Sequence, residues 1–92
     1  MRIRAEVKRV TGATKHYEGT IEGNAIRATK RFPAPSFVEI VEAGEKAGFH
    51  LEYFDSEGRY MTDTWHATLR DAQVQAKYEF DIDEKDWVEV AE

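Results

Sequence analysis

The sequence predicts an α+β domain: an antiparallel sheet of five or six strands, arranged as a meander, with one C-terminal helix packed on it. Three observations carry that prediction. Apolar and polar residues alternate with period two through much of the chain before residue 65. After residue 65 the apolar period lengthens to that of a helix. No strand–helix–strand repeat supports a parallel sheet, so strands precede the helix instead of alternating with it. A small curled barrel with the helix plugging one end is the other arrangement this pattern permits.

The first strand is set by Met1, Ile3, Ala5 and Val7 alternating with Arg2, Arg4, Glu6 and Lys8, one face apolar and one wet. Gly12 favours a turn after it. Residues 15–22 alternate more weakly, with Tyr17, Gly19 and Ile21 on one side. Gly23-Asn24 reads as a hairpin turn, since both residues tolerate positive φ. Residues 25–32 form the third expected strand, with Ile26 and Ala28 inward. Pro33 and Pro35 then break regular structure, because neither has an amide to donate and each restricts the residue before it. Residues 36–43, Ser-Phe-Val-Glu-Ile-Val-Glu-Ala, are β-branched and aromatic and predict a strand, although the stretch through Gly48 also fits a short helix. Phe49, Leu51 and Tyr53 share one face of the next strand. Asp55-Ser-Glu-Gly58 is a hairpin loop, opened by Asp and closed by Gly. Arg59 to Thr64 return as a strand.

The spacing predicts the helix over residues 67–80. Thr68 is its cap, accepting from a first-turn amide, and Asp71 faces the positive end of the helix dipole. Leu69, Ala72, Ala76 and Phe80 fall on one stripe at 100° per residue, and the two alanines allow close approach to a sheet. Trp87 to Val90 are expected as a short final strand or an extended tail.

The 92 residues suffice for one domain, 1–92, because a second core would not fit. The chain has no cysteine, which removes disulfides and thiolate chemistry and suits a reducing cytoplasm. Its N-terminus alternates charge with apolar residues, unlike a signal peptide, and no run approaches the ~20 apolar residues of a membrane span. The net charge of −5 is unevenly distributed: residues 1–36 carry eight basic side chains against three acidic ones, and residues 37–92 carry five against fifteen. Such a split fits opposed binding faces, or strands of one sheet that attract each other. A nucleic-acid interface is disfavoured by the net acidity and by the lack of stacking aromatics beside Arg2, Arg4 and Lys8.

Few residue constellations suggest chemistry. His16, His50 and His66 are far apart in sequence and lack the tight local pairing of a zinc site. Asp63 and His66 could form a carboxylate–imidazole pair, with His50 a further candidate for the same site, but no serine sits on a glycine-flanked elbow to serve as nucleophile. The structural alternative has Asp63 bonding backbone amides, Trp65 anchored in the core, and His66 orienting the helix entrance. Asp81 to Asp86 lack the central Gly and closing Glu of a calcium loop. Glycine-rich phosphate motifs are absent, so no cofactor and no metal is expected. Val74 and Tyr78 lie four apart, roughly 140–180° from the apolar stripe. With Asp81, Asp83 and Trp87 they make a candidate interaction face, for self-association or a protein partner. Either Trp87 folds back over them or they stand exposed.

Residues 35–87 resemble a group of small bacterial proteins of uncharacterised function. The resemblance lies in Pro35 with the Val38-Glu39-Ile40-Val41 strand, in Asp63-Thr64-Trp65-His66, and in Thr68-Leu69, Ala72 and Gln75-Ala76. It implies a shared fold unit and no particular activity. The sequence therefore predicts a small cytoplasmic, non-enzymatic interaction or regulatory module, with an enzyme or ligand-binding domain using Asp63 and His66 as the alternative.

Overall fold

The computed structural model describes residues 1–11, 17–22, 25–31 and 34–91, and for residues 17–22 and 25–31 it describes the backbone. The described strands are β1 (Arg2–Glu6), β2 (Tyr17–Glu22), β3 (Ala25–Arg31), β4 (Phe37–Glu42), β5 (Phe49–Phe54), β6 (Tyr60–His66) and β7 (Val88–Glu89), with one α-helix, α1 (Leu69–Phe80), between β6 and β7. Five strands form one antiparallel sheet in the order β6-β5-β4-β1-β7, and β2 and β3 pair as a separate two-stranded sheet. The expected α+β architecture is thus present: β4, β5 and β6 are a meander, β1 lies beside β4, and the helix follows. Residues 37–42 are strand, and a tight turn through Ala43–Gly48 follows them. The expected turns at Gly12 and Gly23-Asn24, the break at Phe32-Pro33, His16, and the facing of the β2 and β3 side chains lie outside the described residues.

Register assigns the two faces, because directly opposed residues share a face. On the helix side, Ile3, Ile40, Leu51 and Thr64 form one row, and Ala5, Val38, Tyr53 and Thr62 another. On the open side, Arg4, Glu39, Glu52 and Asp63 are one row; Arg2, Val41, His50 and Trp65 are the next.

The core lies between sheet and helix. Ala5, Val38, Ile40, Leu51 and Tyr53 meet Ala72, Ala76, Phe80 and Ile82 there, and Leu69 packs at its margin, so the expected helix stripe is the buried one. Thr68 caps the helix by accepting from the Asp71 amide at 3.0 Å. At the other end Asp81 takes a left-handed conformation, and Thr11 donates from its amide to the Glu79 carbonyl and from its hydroxyl to the Tyr78 carbonyl. The chain leaving β1 thereby satisfies carbonyls that the helix end would otherwise leave unbonded. In the β5–β6 loop, Asp55 accepts the amides of Glu57 and Arg59, as its turn chemistry predicts.

Candidate functional site

The open face of the sheet gathers most of the described polar side chains that could act on a ligand. At its centre is Glu39, a carboxylate with 4% of its surface exposed. Arg2 donates to it at 2.6 Å and Arg4 at 2.7 Å, and Arg2 also donates to Glu52 at 3.0 Å. A charge so far from water is held only when paired and hydrogen-bonded, and two guanidinium groups do this here. The glutamates raise the Arg2 pKa further, Glu39 most of all. Arg2 and Arg4 of β1 and the glutamates of β4 and β5 therefore attract each other across neighbouring strands. Arg4 also lies 4.3 Å over the Phe37 ring, which stacks on Phe54 at 4.9 Å.

Toward the β6 edge, His50 donates from Nδ1 to Asp63 Oδ2 at 2.7 Å, and the Tyr60 hydroxyl donates to the other Asp63 oxygen. These bonds, Tyr60 first and His50 next, hold the Asp63 carboxyl below the usual carboxylate range, and Asp63 in turn raises the Tyr60 hydroxyl to about 12. Asp63 thereby fixes the orientation of the imidazole through its Nδ1. His50 and Asp63 are about a third exposed, 36% and 32% at the side chain, and among the described residues no serine or threonine hydroxyl bonds to His50.

The carboxylate–imidazole pair is therefore His50–Asp63, in place of the Asp63–His66 pair that the sequence offered as an alternative. His66 points to the opposite face, where its Nε2 shares a 2.8 Å hydrogen bond with the Thr64 hydroxyl. Burial there lowers its pKa, although Asp71 and Glu79 work in the other direction. The reason is parity. The strand runs through His66, and residues three apart on an unbroken strand face opposite ways. Tyr60, also three from Asp63, joins it because the register shifts between Tyr53 and Phe54, making Met61 an extra residue.

Trp65 is likewise not a core anchor. It stands 57% exposed on the open face. Its indole donates to the Ala47 carbonyl at 2.9 Å and lies against Gly48, where a side chain would meet it: an ideal Cβ falls 2.6 Å from Nε1. The ring is clamped on one side by the loop and presents the other to solvent.

On the helix, Val74 and Tyr78 are 55% and 50% exposed. Asp81 and Asp83 both accept from Lys77 at 2.7 Å, so the expected acidic rim is partly neutralised. Trp87 is half-buried against the core, and with Arg70, Gln73, Val74 and Lys77 it lines a shallow cleft of about 180 Å³. Its Nε1 is buried and finds no acceptor among the described residues.

One buried group went unread in the sequence. Glu79, 1% exposed, accepts from the Tyr53 hydroxyl at 2.5 Å beneath the helix, and burial, followed by that bond, raises the Tyr53 pKa strongly. The signal was in the helical wheel: at 100° per residue Glu79 falls about 20° from Ala72, inside the buried stripe.

Among the described residues no group of three or more His, Asp or Glu side chains is arranged to hold a metal ion, and no helix is long and apolar enough to cross a membrane. Comparison of the chain with protein-family models, with curated proteins and with solved structures found no match.

Proposed function

We propose that the protein is a non-enzymatic interaction module that takes up an extended segment of a partner protein along β6. One observation carries this reading: β6 is a seven-residue edge strand with no strand paired to its outer side among the described residues, and Tyr60 and Trp65 on it are 55% and 57% exposed. An uncovered edge offers a row of unpaired amides and carbonyls to any extended chain. Strand addition draws affinity from those backbone groups and selectivity from alternate side chains. Large aromatic rings held in water at low entropy cost are the residues that anchor interfaces. The His50–Asp63 pair lies on the same sheet face as Trp65, within reach of a segment added to that edge. The cysteine-free composition supports a reducing, cytoplasmic setting.

Affinity capture from the native host with three baits tests the proposal. Wild type should retain a partner that Tyr60→Ala/Trp65→Ala loses and Val74→Lys/Tyr78→Lys keeps, with β6 amides protected from hydrogen exchange in the captured complex. The outer face of α1 is a second reading, favoured by the exposed Val74 and Tyr78 and by the cleft that Val74 and Trp87 line. It predicts the reverse order of the two variants, or a wild-type dimer in sedimentation that the helix variant abolishes. A partner retained equally by all three baits overturns both readings.

A further inference from the structure

The charge pattern across the open face specifies what kind of strand β6 can accept. Four directly opposed positions, Arg4, Glu39, Glu52 and Asp63, run across four neighbouring strands to the edge. Arg4 meets Glu39, and Arg2 bridges Glu39 to Glu52, so the inner like-charged neighbours are compensated. Glu52 and Asp63 are also like charges directly opposed, an arrangement that destabilises a sheet unless another group offsets it. Arg2 does not reach Asp63, whose described partners are the Tyr60 hydroxyl and the His50 imidazole. Among the described side chains the row therefore carries one cation, Arg4, with Arg2 reaching in from the next row, against three carboxylates, and its outermost charge, on the edge strand, is an anion about a third exposed.

We infer that β6 selects a heterologous extended segment bearing a Lys or Arg directly opposite Asp63, with a bulky apolar side chain two residues away over Trp65, and that it rejects a second copy of itself. This rests on the strand-addition reading. The Cβ of a cation at that position sits about 5 Å from the Asp63 Cβ in a cross-strand pair, and its charge opposes the carboxylate end of the row as Arg4 opposes Glu39 at the other end. Trp65 lies on the same face two residues from Asp63, so the same face of the incoming strand meets both. A second copy fails by symmetry: a twofold axis through β6 that overlaps most of the strand sets one Asp63 opposite or diagonal to the other. Edge strands resist self-pairing by such outward charges.

The test uses the full chain and two synthetic nine-residue peptides of alternating valine and threonine, differing only in a central Lys or Glu. Affinity is measured by calorimetry, with the contacted residues read from amide shifts. The wild type should bind the Lys peptide about five- to tenfold tighter than the Glu peptide, with shifts confined to β6 and its loop. Asp63→Asn, which keeps the acceptor for Tyr60, should bring the two affinities together, and Asp63→Lys should reverse their order. Equal affinities in the wild type, with β6 amides still perturbed, overturn the charge selection and leave strand addition standing. Absence of β6 perturbation by either peptide overturns both. A concentrated wild type that dimerises with protected β6 amides also overturns the inference.

Discussion

Replacing Gly48 by alanine tests how the loop before β5 holds the exposed tryptophan. Gly48 has φ +88, a left-handed conformation that suits glycine. Forcing alanine into it costs about 1–2 kcal/mol. An added Cβ would also sit 2.6 Å from Trp65 Nε1 and 2.7 Å from the His66 carbonyl oxygen. The indole can swing outward, because its far side is in water. That movement breaks its bond to the Ala47 carbonyl, a loss of about 0.5–1.5 kcal/mol. The His66 carbonyl belongs to the paired β6 backbone, so it moves only by fraying the end of the β5–β6 ladder. Gly48→Ala should therefore destabilise by about 2–4 kcal/mol. Urea unfolding followed by circular dichroism measures this, and tryptophan fluorescence reports the displaced ring. Gly58→Ala is the internal control: φ there is +79, and nothing lies within 4 Å of the added Cβ, so it should cost the backbone term alone. Equal losses for the two variants, or a Gly48→Ala midpoint indistinguishable from wild type, would refute the clamp.

Trp65→Ala should lower stability by only about 1 kcal/mol in the same melt, because the ring is exposed and loses chiefly one hydrogen bond; a loss above about 3 kcal/mol would return it to the core. Tyr53→Phe removes the donor to a buried carboxylate and should cost about 1–3 kcal/mol, read by thermal or urea unfolding. Glu39→Ala leaves Arg2 and Arg4 without their shared acceptor. Their side chains are 28% and 39% exposed, so water recovers part of the loss. About 1–3 kcal/mol is expected, below the 3–5 of a fully buried pair. His66 has a folded pKa below its ordinary 6.5, so the unfolded chain binds the proton more readily. Its contribution is complete above pH 6.5 and declines as pH falls from there toward the folded pKa. The urea midpoint should drop between pH 7 and 5, and His66→Gln should flatten that slope. Asp63 acts lower: its depressed pKa adds stability above the ordinary carboxylate range and loses it as pH falls through the folded value.

Much of the frame was written in local sequence. Period-two alternation placed Ile3 and Ala5 on one face of β1 against Arg2 and Arg4, and Leu51 and Tyr53 together on one face of β5, and those apolar faces are the ones that pack into the core. The Thr68 cap, the Asp55-Gly58 loop and the Leu69-Ala72-Ala76-Phe80 stripe were equally legible, because each depends on residues within one turn or one strand of one another. Parity was also legible. A strand continued to His66 separates it from Asp63, and ending the strand at Thr64 hid that. The candidate site itself was decided by tertiary structure. His50 meets Asp63 through the β5–β6 register, and Tyr60 reaches Asp63 through an extra residue at Met61. Glu39 meets Arg2 and Arg4 because β4 pairs with β1, and β6 falls at an edge through the strand order. Trp65 is exposed because it lies on the face opposite α1. Each of these depends on how one strand pairs with another, or on which side of a layer is covered. Local alternation distinguishes the two faces of a strand but carries no information about its neighbour, its register, or which face the helix will cover.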